Sequence, residues 1–276
     1  MFAEEIEFMR KRISIFFILI GISLVFLVYY FDFYGVKKRH FRTFTSAPIY
    51  SYELQRKYKL KHPVFVQGLC LVGHHLYTSS GLYGHSFLRV TNLYTGKILK
   101  KVKMRKDLFS EGITVFHHKL YQLFWKSGRG FIYDVPSLHK VGEFPVKGEG
   151  WGLTHNDRYL IMSNGSSTLY FLDPKHRFRV ARKLEVYDGR RKIKNLNELH
   201  YGDNIIYANI WFLNDIAMIN PKNGRVIGWI NLSMLTSDVK DTSQDCSVAN
   251  GITQNKENGN LIITGKCWKH LYEIKY

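Results

Sequence analysis

The sequence has little cysteine and none of the compact motifs that hold a zinc ion or a serine nucleophile. Its three cysteines are Cys70, Cys246 and Cys267, and no CxxC or Cys/His ligand spacing accompanies them, which disfavours a zinc site. A G-x-S-x-G elbow is also missing, which disfavours a serine hydrolase of that type. The spacing leaves open whether Cys246 and Cys267 form a disulfide in an oxidising compartment.

Acidic residues are scarce as well. Lys and Arg number 40 against 22 Asp and Glu, a formal net charge of +18, and such a balance allows contact with nucleic acid or an anionic membrane. No nucleic-acid recognition motif accompanies the charge. Many of the lysines fall in segments such as 97–103, where charge is typical of a solvated outer strand. The sequence therefore predicts no nucleic-acid partner.

Charge is absent altogether from residues 13–31, a run of 19 mostly apolar residues. At helical rise this run is long enough to cross a bilayer. It is too long for an ordinary signal-peptide core, and no small-x-small cleavage site follows it. The sequence thus predicts a short tail at 1–12, a transmembrane signal anchor at 13–31, a basic tether at 32–48 and a folded domain at 49–276.

The short leader implies that the folded domain follows the anchor. We expect a single-pass type II membrane protein of the secretory pathway or endoplasmic reticulum, with the domain lumenal or extracellular. Basic residues flank the run on both sides, so the positive-inside rule alone does not orient it. The sequons at Asn164 and Asn231 are compatible with a lumenal domain.

The folded domain is built from repeats. Each repeat places a polar or indole side chain immediately before a short β-like run, at Gln67, Glu111, Trp151, Asn197 and Asn250, with steps of 44, 40, 46 and 53 residues. A period of this size with about four strands per repeat is typical of a β-propeller. The sequence therefore predicts an all-β, five-bladed β-propeller behind the N-terminal transmembrane helix.

The fifth repeat is one strand short, because the chain ends at Tyr276 after its third strand. The stretch Tyr50–Leu60 precedes the first repeat and reads as a spare strand. A propeller ring closes when one terminus completes the blade begun by the other. We therefore expect Tyr50–Leu60 to be the outer strand of blade five.

Polar and aromatic residues are expected to converge at one end of the propeller axis. The first strand of each blade lines the axis, and the second strand returns to the same end about fourteen residues later. The nine residues placed there, called the funnel below, are Phe65, Gln67, Phe109, Glu111, Trp125, Trp151, Asn197, Trp211 and Lys266. Three tryptophans sharing a register with a carboxylate and an ammonium favour a pocket, whereas Trp229 and Trp268 are expected in the core.

At these residues the sequence resembles the plant- and bacterial-type (type I) glutaminyl cyclases, which are glutaminyl-peptide cyclotransferases built as five-bladed propellers. The matching motifs are Phe65-Val66-Gln67-Gly68-Leu69, Gly81-Leu82-Tyr83-Gly84-His85-Ser86, Phe109-Ser110-Glu111-Gly112-Ile113-Thr114, Gly150-Trp151-Gly152-Leu153-Thr154, Leu196-Asn197-Glu198-Leu199, Ala208-Asn209-Ile210-Trp211, Asn250-Gly251-Ile252 and Thr264-Gly265-Lys266. They run in order through residues 63–276. The resemblance implies that Glu111 is the essential carboxylate and that the other eight funnel residues form the pocket. It implies only loosely a structural cation on the propeller axis, whose ligands are unknown.

The implied reaction converts the N-terminal glutamine of peptides and proteins to pyroglutamate with release of ammonia. Glu111 would shuttle the proton, and Lys266, Asn197 or an indole N–H would stabilise the oxyanion. Substrate binding falls to Phe65, Gln67, Phe109, Trp125, Trp151 and Trp211, and the chemistry requires no cofactor. The alternative is a non-catalytic, membrane-tethered propeller that binds a peptide or glycan partner through the same funnel.

Overall fold

The computed structural model describes residues 46–237, 246 and 248–276. The tail predicted at 1–12, the anchor predicted at 13–31 and the tether up to residue 45 lie outside the described residues. Within the described ranges, no helix has both the length and the apolar character needed to cross a membrane.

Short strands form nearly all of the regular secondary structure in the described residues. Two precede the first blade: β1 (Ile49–Tyr50) and β2 (Glu53–Lys59). Blade one holds β3 (Val66–Val72), β4 (His75–Ser80), β5 (Phe87–Asn92) and β6 (Ile98–Lys103). Blade two holds β7 (Ser110–Phe116), β8 (Lys119–Phe124), β9 (Arg129–Asp134) and β10 (Lys140–Pro145). Blade three holds β11 (Leu153–His155), β12 (Leu160–Met162), β13 (Thr168–Asp173) and β14 (Arg179–Glu185), with the 3-10 helix Pro174–His176 between the last two.

A small hairpin follows, formed by β15 (Tyr187–Asp188) and β16 (Arg191–Lys192). Blade four holds β17 (Leu196–Gly202), β18 (Ile205–Ile210), β19 (Asp215–Ile219) and β20 (Val226–Asn231), and the single-turn helix α1 (Ser233–Ser237) comes after it. Blade five holds β21 (Ala249–Gln254), β22 (Leu261–Gly265) and β23 (His270–Lys275). Each blade pairs its strands antiparallel in chain order, so the prediction of an all-β, five-bladed propeller is confirmed.

Strand β2 closes the ring. It pairs antiparallel with β23 as the outermost strand of blade five, with Tyr58 opposite Leu271. The Tyr58 hydroxyl donates to Glu273 Oε2 at 2.6 Å in the buried part of this seam. The predicted closure by the segment before blade one is therefore confirmed for Glu53–Lys59.

The first residues of that segment belong to another blade. Strand β1 pairs in parallel with β20, with Ile49 opposite Trp229, and so adds a fifth strand to blade four. The assignment of Tyr50 to blade five was wrong. Gly228 explains the difference, because a Cβ there would lie 2.5 Å from the Tyr50 ring, and only the missing side chain leaves room for that ring.

Residues 46–48, at the end of the predicted tether, are hydrogen-bonded to the propeller. The backbone N–H groups of Ser46 and Ala47 donate to Asp188 Oδ1, each at 3.0 Å. The Pro48 carbonyl accepts from Trp229 N at 2.9 Å, and Trp229 Nε1 donates to Asp188 Oδ2 at 3.0 Å. One carboxylate thus joins the chain entering the propeller to blade four.

Several tryptophans, histidines and cysteines lie outside the funnel. Trp229 and Trp268 are fully buried, as predicted. Two histidine pairs, His74-His75 and His117-His118, are exposed at the ends of hairpins. Cys246 and Cys267 form a disulfide, which answers the question that their spacing left open.

The first strands of the blades touch backbone to backbone at the axis. A Cβ on Gly112 would lie 2.4 Å from Leu153 N, and one on Gly152 would lie 2.0 Å from the Asn197 carbonyl oxygen. Both glycines are thus required by the close approach of neighbouring strands. In blade four the equivalent position holds Glu198, whose buried carboxylate accepts from Leu69 N at 3.1 Å and Ile252 N at 2.9 Å. Glu198 therefore ties blade four to blades one and five.

Candidate active site

The nine funnel residues lie at one end of the propeller because of their places in each blade's first hairpin. Gln67, Glu111 and Asn197 stand at the start of the first strands β3, β7 and β17. Trp125 and Trp211 directly follow the second strands β8 and β18. Backbone hydrogen bonds join these two ends of the hairpin, as in the 3.0 Å bond from Trp125 N to the Phe109 carbonyl. The remaining funnel residues flank the same strand ends: Phe65, Phe109, Trp151 and Lys266.

Glu111 is a buried carboxylate, and only one of its two oxygens has a hydrogen-bond partner among the described residues. Its side chain is 5% exposed, and Oε1 accepts a hydrogen bond from Gln67 Nε2 at 2.9 Å. Gln67 is fixed in turn, since its Oε1 accepts from Asn250 Nδ2 at 3.2 Å. Glu111 Oε2 is buried without a hydrogen-bond partner among the described residues. A buried polar atom left in this way is costly, so it marks a place where a ligand can form the missing bond.

The surroundings of Glu111 favour its neutral form. Burial raises the pKa of the Glu111 carboxyl well above its usual value, and the charge of Glu149 adds to the rise. The ammonium of Lys266 and the hydrogen bond from Gln67 act in the opposite direction. A carboxyl whose pKa is raised by burial can act as a proton acceptor and as a proton donor in a reaction.

Aromatic rings form the wall of the funnel on two sides. Phe109 packs perpendicular to Phe65, with ring centroids 6.4 Å apart, and lies 5.8 Å from Trp125. On the other side Trp151 and Trp211 meet edge to face at 5.3 Å. These edge-to-face pairs hold large rings in defined orientations.

Lys266 is buried among the same rings. Its side chain is 6% exposed, and Nζ lies 4.7 Å from the Phe65 ring centroid and 5.8 Å from that of Trp211. The faces of these rings attract a cation. The position of Lys266 therefore puts a positive charge inside the funnel.

Asn197 is buried at the start of β17, directly before the axial Glu198. The backbone carbonyl oxygen of Asn197 accepts a hydrogen bond from Ser163 Oγ at 2.6 Å. The backbone that carries the amide is therefore fixed against blade three.

Glu149 is a residue at this site that the sequence analysis missed. Its Oε2 accepts hydrogen bonds from Trp125 Nε1 at 2.8 Å and from Trp151 Nε1 at 2.9 Å, and Oε1 lies 3.4 Å from Lys126 Nζ. Partial burial alone would raise the pKa of Glu149, but these hydrogen bonds and the Lys126 charge together lower it. Glu149 lies in the loop before blade three, outside the strand register used to find the others. Its only sequence signal is an acid between two glycines, just before Trp151.

A tyrosine was missed in the same way. The ring of Tyr83 lies 5.4 Å from Phe109 and 6.4 Å from Trp125, and it is 49% exposed. It extends the aromatic wall towards solvent.

The axis does not fit the loosely implied cation. Its carboxylate, Glu198, accepts from two backbone N–H groups, and such donors repel a cation instead of completing its shell. Within residues 46–237, 246 and 248–276, no group of three or more His, Cys, Asp or Glu side chains is arranged to hold a metal ion. No step below uses one.

The fold and the funnel together define the class of this protein: a five-bladed propeller with a buried carboxylate among aromatic side chains at one end of its axis. A family model described as glutamine cyclotransferase matches residues 28–276. The chain belongs to the glutamine cyclotransferase family, and the resemblance found in the sequence is confirmed.

Two individual proteins show the same relationship. The chain is 37% identical over 215 residues to a glutaminyl-peptide cyclotransferase of Arabidopsis thaliana, and the match covers 76% of this chain and 67% of the relative. It is also similar to the crystal structure of Myxococcus xanthus glutaminyl cyclase, with a TM-score of 0.77 and 29% identity. That match covers 83% of this chain and 98% of the bacterial one.

Proposed function

We propose that this protein is a glutaminyl-peptide cyclotransferase, which converts the N-terminal glutamine of peptides and proteins to pyroglutamate with release of ammonia. The family match and both relatives support the activity. The observation that carries the mechanism is the buried Oε2 of Glu111, which has no hydrogen-bond partner among the described residues. A substrate ammonium or amide N–H would supply the hydrogen bond that this oxygen lacks.

Glu111 moves protons in the proposed reaction. Its carboxylate first takes one proton from the substrate's α-ammonium, and the free amine then attacks the γ-carboxamide carbon. Glu111 returns that proton to the amide nitrogen as the C–N bond breaks, so that ammonia leaves. The carboxylate then removes the second proton from the ring nitrogen, which leaves the neutral lactam, and the proton departs with ammonia as ammonium. The carboxylate is regenerated, as general acid–base catalysis requires.

The tetrahedral intermediate carries a negative oxygen that needs positive charge or N–H donors. The buried Lys266 ammonium and the Asn197 amide fill this role in our proposal. The indole N–H groups of Trp125 and Trp151 do not, because both already donate to Glu149. The Lys266 charge also keeps the pKa of Glu111 from rising further, so the carboxylate form remains accessible.

The aromatic wall shapes the substrate. Nucleophile and electrophile belong to one glutamine residue, so the enzyme need only fold that side chain until the amine approaches the carbonyl carbon. Enclosure between the rings of Trp125, Trp151 and Trp211, with Phe65, Gln67 and Phe109 alongside, would favour this near-attack geometry.

We propose further that residues 13–31 anchor the enzyme in a membrane of the secretory pathway, with the propeller lumenal or extracellular. The uncharged run supports the anchor, and the sequons at Asn164 and Asn231 are compatible with a lumenal propeller. In a glycosylating host, Asn164 or Asn231 should carry glycan, and protease added to intact microsomes should leave the propeller protected. Complete digestion from the cytosolic side would contradict the proposed topology.

The activity is tested with the full chain in detergent and a peptide that begins with glutamine. We expect ammonia release and a mass loss of one ammonia per peptide, whereas the same peptide acetylated at its α-amine should not react. Tight binding of the Gln-peptide without ammonia release would favour the non-catalytic binding protein instead.

A further inference from the structure

We propose that Glu149 is a positioning residue for this reaction, whose carboxylate holds the indole rings of Trp125 and Trp151 in the orientation that encloses the substrate. The inference rests on the proposed function. It assigns a role to a residue outside the nine that the sequence singled out.

The hydrogen bonds are the first reason. A single oxygen, Oε2, accepts both indole N–H groups, at 2.8 Å from Trp125 and 2.9 Å from Trp151. Trp125 follows the second strand of blade two, whereas Trp151 precedes the first strand of blade three. The carboxylate therefore joins two blades across the funnel rim, and a charged acceptor makes these bonds stronger than neutral ones.

The packing of the two rings is the second reason. Trp151 meets Trp211 at 5.3 Å, and Trp125 lies 5.8 Å from Phe109. Each ring held by Glu149 thus packs against another ring of the funnel wall. Releasing the two indoles would loosen the cage on both sides without touching Glu111 directly.

The charge of Glu149 is the third reason. It acts on Glu111 against the ammonium of Lys266: the Glu149 carboxylate raises the pKa of Glu111, and Lys266 lowers it. Glu149 itself faces the ammonium of Lys126 at 3.4 Å. Without the negative charge of Glu149, only the Lys266 ammonium would act on the charge of the Glu111 carboxyl, so the pKa of Glu111 should fall.

Two substitutions separate hydrogen bonding from charge. Glu149→Gln keeps a carbonyl oxygen with two lone pairs, which can accept both indole N–H groups, but it removes the charge. Glu149→Ala removes both. Glu185→Gln is the matched control, because Glu185 is a half-exposed carboxylate paired with Lys192 at 2.8 Å on the outer strand of blade three.

The kinetic measurement is kcat and KM for a Gln-peptide across pH with the full chain. For Glu149→Ala we expect KM to rise on the order of tenfold, equivalent to about 1.4 kcal/mol, because the cage is no longer held. Glu149→Gln should keep a KM close to that of the wild type. In both variants the acid limb of kcat/KM should move to lower pH, and in the control it should stay in place.

Acrylamide quenching of tryptophan fluorescence, measured without substrate, tests the clamp independently of turnover. Quenching should increase in Glu149→Ala but not in Glu149→Gln or the control. Wild-type KM in Glu149→Ala, an unmoved acid limb in both variants, or unchanged quenching in Glu149→Ala would each overturn the proposal. Absence of turnover in the wild type would defeat the proposed function alone, and the quenching result would still decide the clamp.

Discussion

Replacing Glu111 with glutamine separates catalysis from folding. Gln is nearly the same shape, and its Oε1 can keep the hydrogen bond from Gln67 Nε2, which is 2.9 Å long in the wild type. The new amide nitrogen would stand where Oε2 now has no partner among the described residues. The substitution therefore removes the proposed proton carrier and leaves the rest of the funnel in place.

The expected loss is in kcat. General acid–base catalysis contributes about 10²–10⁴-fold, so kcat of Glu111→Gln should fall by that factor, or roughly 3–5 kcal/mol of activation free energy. KM should rise to a smaller extent, because the aromatic walls are untouched but the new amide nitrogen cannot accept the substrate hydrogen bond proposed for Oε2. Ammonia release from a Gln-peptide, followed under saturating conditions, measures the loss. Turnover at the wild-type rate would refute the carboxylate mechanism.

The same variant should be more stable than the wild type at neutral pH. Burial raises the folded-state pKa of Glu111 above its unfolded value, so between those two values the folded protein binds more protons than the unfolded one. The stability contribution of this group then falls as pH rises. Below the unfolded pKa the two proteins should have similar free energies of unfolding, and the advantage of Glu111→Gln should appear as pH rises. Denaturant melts at acid and neutral pH measure this difference, and a variant that loses stability with rising pH relative to wild type would contradict it.

Two further substitutions and one deletion test other parts of the structure. Glu198→Gln should lower the free energy of unfolding by about 1–3 kcal/mol, because one of the two backbone N–H groups now held by the carboxylate would lose its acceptor; a melt equal to wild type would contradict this role. Deleting residues 49–60 removes the outer strands β1 and β2 and should lower the melting temperature of the whole propeller in calorimetry, not only fray one edge. Trp151→Phe should raise KM, since it removes ring surface and the N–H that reaches Glu149; an unchanged KM would show that the ring does not contact substrate.

Much of this architecture could be predicted because a propeller repeats. A repeated polar residue before a β-like run gave the register of the first strands, and fourteen residues later the second strand returned to the same end. Ring closure was predicted with Tyr50–Leu60 as the outer strand of blade five, and within that stretch Glu53–Lys59 pairs with β23.

Other features depend on contacts that leave no periodic signal. The pairing of Tyr50 with blade four depends on the space that Gly228 leaves for its ring. The sequence does not distinguish this glycine among the 22 that it contains. Glu149 lies in a loop, where the register of the blade strands does not predict which way a side chain points. Its position beside two indoles becomes visible only when blades two and three are placed side by side.

Two buried glutamates show why a site cannot be identified from burial or pKa alone. Glu111 and Glu198 are both nearly inaccessible, and burial raises the pKa of both well above the usual value. In Glu198 both oxygens accept backbone N–H groups, one from blade one and one from blade five, so its role is structural. Glu111 has one oxygen fixed by Gln67 and one without a partner among the described residues. The unsatisfied oxygen, in a carboxyl under the influence of the Lys266 ammonium, makes Glu111 the carboxylate available for the proposed chemistry, whereas Glu198 holds the blades together.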